Sequence, residues 1–438
     1  MNEYVSIIGG GLAGCEAAWQ LACREIPVVL FEMRPHRFSP AHESEHLAEL
    51  VCSNSLRSNQ IHSAVGLLKE EMRRLDSLIM SVADNTAVPA GKALAVDRNR
   101  FALAVTSAVN EHPLIELRRE EVTSLDATGG KLVIIAGGPL SSRALTDELR
   151  AITGGNLSFY DAIAPVVATD SLDADKVYRK SRWDDDSPGD YLNCPFSKKE
   201  YERFYEALIS AQTVPLKSFE QVKYFEGCLP IEVMAGRGEG TLRFGPMKPV
   251  GLAHPVTGEV PYAVVQLRAE NVEGSMYNLV GFQTKLTYGE QKRVFRLIPG
   301  LEKAEFIRLG SIHRNTFLCS PLLLDDTLQL VSKPGFFVTG QLSGVEGYVE
   351  SAAMGLLSGL YTAMYMRGQK PVPPPRDTAM GSLVYHLTTS DPRHFQPSNV
   401  NFGLFPALNK KLPRKERGTF RSQQALNSLE NWKVEARY

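Results

Sequence analysis

The chain has 438 residues, 43% hydrophobic and 22% charged, which excludes a disordered protein and gives room for two or three domains. Its 48 Lys and Arg against 49 Asp and Glu leave a formal net charge of -1, so no global positive field exists and any nucleic acid must be met by local basic patches. No apolar run reaches the roughly 18 residues needed to cross a bilayer, and no basic stretch followed by an apolar signal region opens the chain, so a cytoplasmic protein without a membrane is expected.

Tyr4 to Ile8 is an apolar run that predicts the first strand. Gly9-Gly10-Gly11-Leu12-Ala13-Gly14 follows and satisfies G-x-G-x-x-G through Gly9, Gly11 and Gly14. In a dinucleotide-binding unit these glycines allow a tight turn, close approach of backbone to pyrophosphate, and close packing of helix on strand. By itself the pattern fits an ordinary glycine turn equally well. Here an Ala-rich helical segment from Cys15 to Cys23 follows, and the second apolar run, Pro27 to Phe31, ends in Glu32. An acid at that place accepts hydrogen bonds from ribose hydroxyls, which favours the cofactor reading over a solvated glutamate.

Val65, Leu68, Met72, Leu75 and Ile79 recur at helical spacing, predicting one amphipathic helix whose charges, Lys69, Glu70, Arg73, Arg74 and Asp76, form a solvated face. Leu132 to Ala136, followed by Gly137-Gly138-Pro139, predicts a further buried strand ending in a turn. The pattern turns polar between Asp170 and Asp190. Phe336 to Thr339 is again strand-like and leads through a Gly-rich segment into a helix of small residues, Ser351 to Met364. The prolines between Lys370 and Arg376 make a stiff connector, and the last thirty or so residues are polar and helix-prone.

The late segment Phe337-Val338-Thr339-Gly340, continuing to Gly347, points to FAD rather than NAD, because two-part flavoproteins return a late strand and helix N-terminus to the flavin. The expected fold class is therefore α/β, a Rossmann-type two-part FAD-binding domain with an inserted α+β domain. The expected division is 1–168, 169–324 and 325–438.

Six cysteines, at positions 15, 23, 52, 194, 228 and 319, show neither Cys-x-x-Cys pairing nor zinc-site spacing, so thiols without disulfides and no metal are expected. Cys15 and Cys23 read as packing residues of the first helix, and a cysteine in a soluble protein is more often a small buried hydrophobe than a catalyst. Five segments carry a more specific message: Glu49-Leu50-Val51-Cys52-Ser53-Asn54-Ser55, Asp190 to Pro195, Gly245 to Gly251, His313-Arg314-Asn315-Thr316 and Gly344-Val345-Glu346-Gly347-Tyr348. Together they resemble the folate- and FAD-dependent tRNA (uracil-5-)-methyltransferase family, over nearly the whole chain.

That resemblance implies methylation of C5 of the T-loop uridine in tRNA to give ribothymidine. Methylenetetrahydrofolate would supply the carbon, reduced FAD the electrons, and NADPH (or NADH) would recharge the flavin. It also implies that Cys228, in Phe225-Glu226-Gly227-Cys228-Leu229-Pro230, is the nucleophile and that Cys52 is the thiol beside the flavin and the base. The Leu after Cys228 is a conservative departure from the family pattern. Uracil C5 is a poor nucleophile until a thiolate adds at C6, and a second group must later remove the C5 proton, so two thiols suit the reaction. Cys194 lies in a family motif and is given a structural role.

The expected cofactor-binding residues are Gly9, Gly10, Gly11, Leu12, Ala13, Gly14, Glu32, Gly340 and Tyr348, the last the best candidate for stacking near the flavin, although a tyrosine so placed in an arbitrary protein is more often a half-buried core residue. For RNA, the basic tail Lys410, Lys411, Arg414, Lys415, Arg417 and Arg421 is the densest patch, with a solvated, frayed terminus as the alternative. Lys248 and Arg268 are further candidates for phosphate or folate glutamate contacts. No obligate protein partner is expected. The same chemistry on ribosomal RNA, a wobble-uridine-modifying flavoprotein, and an FAD protein that only binds RNA remain open.

Overall fold

The computed structural model describes residues 3–154, 157–162, 164–182, 189–214 and 229–436. Its first apolar run becomes strand Val5–Ile8, with all four residues buried. This strand is the middle of a five-stranded parallel sheet, in the order Phe336–Val338, Leu132–Ile135, Val5–Ile8, Val28–Phe31, Ile115–Arg118. Helices cover such a sheet on both faces, which is why its strands read as continuous apolar runs and not as alternating ones. The late strand, more than 300 residues from the first, enters the same sheet beside Leu132–Ile135, as a two-part domain requires.

The first helix, Leu12–Ala22, packs along the late helix Tyr348–Met366. Glycines permit the contact: a Cβ on Gly355 would stand 2.2 Å from the Ala13 carbonyl oxygen, and one on Gly359 would stand 2.9 Å from that of Ala17. Residue 355 meets 13 and 359 meets 17, so the two helices run in the same direction. Their N-termini therefore end at the same edge of the sheet.

Val166–Ala168 begins a second, antiparallel sheet of six strands, ordered Tyr178–Arg179, Tyr191–Phe196, Ala263–Ala269, Met276–Leu279, Val166–Ala168, Phe306–Arg308. Its own core gathers Cys194, Phe196, Tyr201, Phe204, Phe282 and Phe295, with helix Lys198–Ile209 started by a capping box between Ser197 and Glu200. Strands Leu157–Ala162 and Ile312–Phe317 pair antiparallel where the chain passes between the two sheets.

Three expectations change. The single helix over 65–79 is two, Ala64–Arg74 and Leu78–Asn85: Asp76 takes φ 51°, and Ser77 accepts the Met80 N–H as N-cap. Buried Glu16 reinforces the break by accepting the N–H of Ile79 at 2.9 Å and the Ser77 hydroxyl at 2.7 Å. Lys69 does not lie on a solvated face; it is fully buried, its Nζ donating to the carbonyls of Leu56 (2.7 Å) and Arg57 (3.2 Å). Cys23 is exposed just past the first helix, whereas Cys15 and Cys194 are buried and burial pushes both thiols far up.

The C-terminal segment is a docked helix, Arg414–Glu435, and not a frayed end. Trp432 is buried and donates its indole N–H to the Val372 carbonyl at 2.8 Å, and the Ser422 hydroxyl donates to Ile61. Among the described residues no helix is long and apolar enough to cross a membrane.

Candidate functional site

Gly9 takes φ +107°, and a Cβ on Gly14 would lie 1.9 Å from the Gly9 carbonyl oxygen, so the loop folds directly onto the first turn of its helix. A Cβ on Gly11 would meet nothing within 4 Å, because that side of the loop faces an open cleft. Gly11 is the N-cap and offers no side chain to the first N–H groups, leaving them to an anion.

The cleft runs from Glu32, Met33 and Arg34, past Gly9, Gly11, Leu12 and Ala13, to Gly340, Gln341, Tyr348 and Ser351. Its far wall is the turn Gly137 to Ser142, where Gly138 likewise leaves room for a Cβ. A glycine cradle with spare volume at one helix N-terminus, an acid to one side of it and the start of the late helix to the other match an elongated dinucleotide with a central pyrophosphate. The residues present thus fit FAD.

Glu32 is 5% exposed and accepts from the Gly10 N–H at 2.9 Å and from both the N–H and Nε of Arg34, at 3.0 and 2.9 Å. Burial alone would raise its carboxyl, but the hydrogen bonds and charge of Arg34, with the Gly10 N–H, outweigh burial and hold it below the ordinary carboxylate range. Arg34 in turn bridges to Glu49 at 3.0 Å. The acid is therefore ionised and fixed in place, as a ribose acceptor must be.

Tyr348 opens the late helix, and its hydroxyl accepts the N–H of Cys52 at 2.7 Å and that of Ser53 at 3.3 Å. Burial, then the neighbouring Cys52, push the phenol well above its usual range, so it stays neutral. A second cleft is lined by Pro40, Glu43 and Val51 from the first domain and by Lys285, Tyr288 and Arg308 from the inserted one. Val51 lines both clefts; Cys52, the next residue in the chain, lines neither.

Residues 4–370 match the family model "Glucose inhibited division protein A". A methylenetetrahydrofolate--tRNA-(uracil-5-)-methyltransferase TrmFO of Geobacter sulfurreducens is 60% identical over 99% of each chain. Its counterpart from Desulfotalea psychrophila is 60% identical over 99% of this chain and 97% of its own. This chain belongs to the folate-dependent tRNA (uracil-5-)-methyltransferase family. Two crystal forms of Aquifex aeolicus GidA share the fold at TM-scores of 0.72 and 0.73 with 17% identity, covering 99% and 100% of this chain and 73% and 76% of theirs.

In this methyltransferase-family chain Gly9, Gly11, Leu12, Ala13, Glu32, Gly340 and Tyr348 line one cleft, whereas Gly10 and Gly14 pack behind it on Glu32 and Gly9; Cys52 is tied to the cleft through its N–H to Tyr348, and Cys228 lies outside the described residues. Arg268 is no exposed phosphate contact: it is 6% exposed, and its Nε and Nη2 donate to Asn54 Oδ1 (2.9 Å) and Ser53 Oγ (2.8 Å). Lys248 is exposed, as are Lys410, Lys411, Lys415 and Arg417 around the start of the C-terminal helix. Arg34, Arg98 and Arg308 act on a neighbouring carboxylate or on backbone carbonyls, contacts that obey no spacing rule and leave no signal in the sequence.

Proposed function

We propose that this protein methylates C5 of the T-loop uridine of tRNA, with methylenetetrahydrofolate as carbon donor, FAD as the redox cofactor and NADPH or NADH as the source of electrons. The observation that carries this reading is the meeting of two clefts at Val51: one has the glycine cradle and acid for FAD, the other opens between the domains beside Cys52. The 60% identity to named family members over almost the full length supports the same reaction.

When bound, FAD supplies the hydride equivalent that takes the transferred methylene to a methyl. The chain's own groups prepare the base. The Cys228 thiolate adds at C6, forming a C–S bond and making C5 nucleophilic; C5 bonds to the folate's methylene carbon, Cys52 takes the C5 proton as the carbon–nitrogen bond to the folate breaks and releases tetrahydrofolate, and once the methylene has gained its hydride the C6–S bond breaks and frees Cys228. The uridine must leave its stack to reach this junction. The exposed lysines and arginine near residues 410–417 are suited to RNA phosphates. We place the reaction in the cytoplasm, without an obligate protein partner.

The test is mass spectrometry of unmethylated tRNA incubated with the yellow holoenzyme, methylenetetrahydrofolate and NADPH, with folate-free and S-adenosylmethionine controls. A folate-dependent gain of one methyl at the T-loop uridine is expected; methylation of ribosomal RNA alone would overturn the substrate. Transcripts carrying 5-fluorouridine at the target should trap a covalent adduct in the wild type and none in Cys228→Ala.

A further inference from the structure

Three guanidinium groups from three different elements converge on one short segment, Leu50 to Asn54. Arg98, first residue of helix Arg98–Glu111, donates through Nη1 to the Leu50 carbonyl. Arg308, last residue of strand Phe306–Arg308, donates through Nη1 to the Val51 carbonyl at 3.1 Å and through Nη2 to the Cys52 carbonyl at 3.4 Å. Arg268, on strand Ala263–Ala269, holds the Ser53 and Asn54 side chains, and Asn54 Nδ2 returns to the Ala269 carbonyl at 2.9 Å. Buried Glu270 fixes Arg98 by accepting its Nε at 2.9 Å.

The same segment is held from its other side by Tyr348, whose hydroxyl takes the N–H groups of Cys52 and Ser53. Carbonyls at 50, 51 and 52 thus face guanidiniums while amides at 52 and 53 face a phenol. Both peptide planes flanking the Cys52 side chain are fixed, and with them the direction in which its sulfur leaves the backbone. Two of the three arginines belong to the inserted domain, so that domain sets the aim of a thiol that the FAD domain carries.

We propose that Arg308 and Arg268 are positioning residues for Cys52: Arg308 orients its thiol through the carbonyls of Val51 and Cys52, and Arg268 through the side chains of Ser53 and Asn54. Their mechanistic weight rests on Cys52 acting in the reaction; the geometric part does not. Charge-assisted hydrogen bonds of this kind hold a segment more firmly than neutral ones, and losing one opens it more often.

The experiment uses FAD-loaded holoenzyme and follows iodoacetamide labelling of each cysteine by peptide mass spectrometry, alongside kcat and KM for tRNA. Arg308→Met and Arg268→Met are each expected to speed Cys52 labelling about tenfold, the ratio that loss of one charged hydrogen bond gives, with half-buried Cys319 unchanged as internal reference. Arg308→Lys, able to reach one carbonyl, should fall between. Arg100→Met removes the interdomain ion pair with Glu273 without touching the segment and should leave labelling at the wild-type rate. In the tRNA assay kcat should fall with KM little changed. Unchanged Cys52 labelling in both methionine variants, or equal acceleration at Cys319, overturns the proposal. Altered labelling with unaltered kcat would keep the clamp but remove Cys52 from the chemistry.

Discussion

The hydroxyl of Tyr348 accepts the backbone N–H of Cys52 at 2.7 Å, joining residues that are 296 apart in the chain. It also takes the Ser53 N–H, so one phenol ties the start of the late helix to the segment beside the candidate base. Tyr348→Phe removes that acceptor and leaves two amides to find others. Leaving a buried donor unsatisfied costs about 1–3 kcal/mol, and urea unfolding of the holoenzyme should show a loss of that size. Wild-type stability in the variant would mean that the contact holds nothing in place.

Glu32 makes a separate prediction about the cofactor. It is ionised, buried and already aligned by Arg34 and the Gly10 N–H, so it presents its acceptor oxygens to a ribose without reorganising. Glu32→Ala should weaken FAD binding by roughly 1.5–3 kcal/mol, the range for hydrogen bonds to a charged group. Titration of apoenzyme with FAD, followed by flavin fluorescence, measures it. Part of the loss will come from Arg34, which among the described residues keeps only Glu49 as an ionic partner. Unchanged affinity would place the ribose elsewhere.

What the sequence disclosed follows from how local each feature is. The loop Gly9 to Gly14, the strands around it and the acid at Glu32 obey fixed spacings, and the α/β fold with a late strand returning to the sheet could be read from them. The helix break at Asp76 was hidden because its cause is a long-range contact, the Glu16 carboxylate under Ser77 and Ile79. Burial of Lys69 was hidden for the same reason, since its carbonyl partners at Leu56 and Arg57 come from a strand that no periodicity links to its helix. The arginines around Cys52 are likewise brought together only by the fold.

The glycine contact between the first and late helices is testable by addition of a single carbon. Gly355→Ala would place a Cβ 2.2 Å from the Ala13 carbonyl oxygen, and the backbone there must move. Overpacking of this sort costs about 1–3 kcal/mol, and because Ala13 belongs to the cofactor loop, FAD affinity should drop with stability. Gly289→Ala is the control: it is exposed, lies in helix Tyr288–Phe295 and meets nothing within 4 Å. There the gain in helix propensity, about 0.5–1 kcal/mol, should stabilise. Equal behaviour of the two variants would refute the close-packing argument.

Helix Ala64–Arg74 carries two buried ionisable groups whose effects on stability oppose each other. Burial, then the charges of Arg57 and Arg73, lower Lys69 from 10.5 to about 7. The folded state therefore releases this proton before the unfolded chain does, so its contribution is full above 10.5 and is lost as pH falls through about 7. Glu71 accepts the N–H groups of Ala379 and Met380 at the start of the next helix, yet burial raises it from 4.5 to about 8. A raised carboxyl contributes fully below 4.5 and is lost as pH rises through about 8. Stability should thus fall across the mildly acidic range through Glu71 and recover across the alkaline range through Lys69. Unfolding of Lys69→Met by urea at a series of pH values should lack the alkaline recovery, by roughly one proton's slope, and Glu71→Gln should lack the acidic fall. A wild-type pH profile in Lys69→Met would show that its amine is charged in the folded protein, its burial notwithstanding.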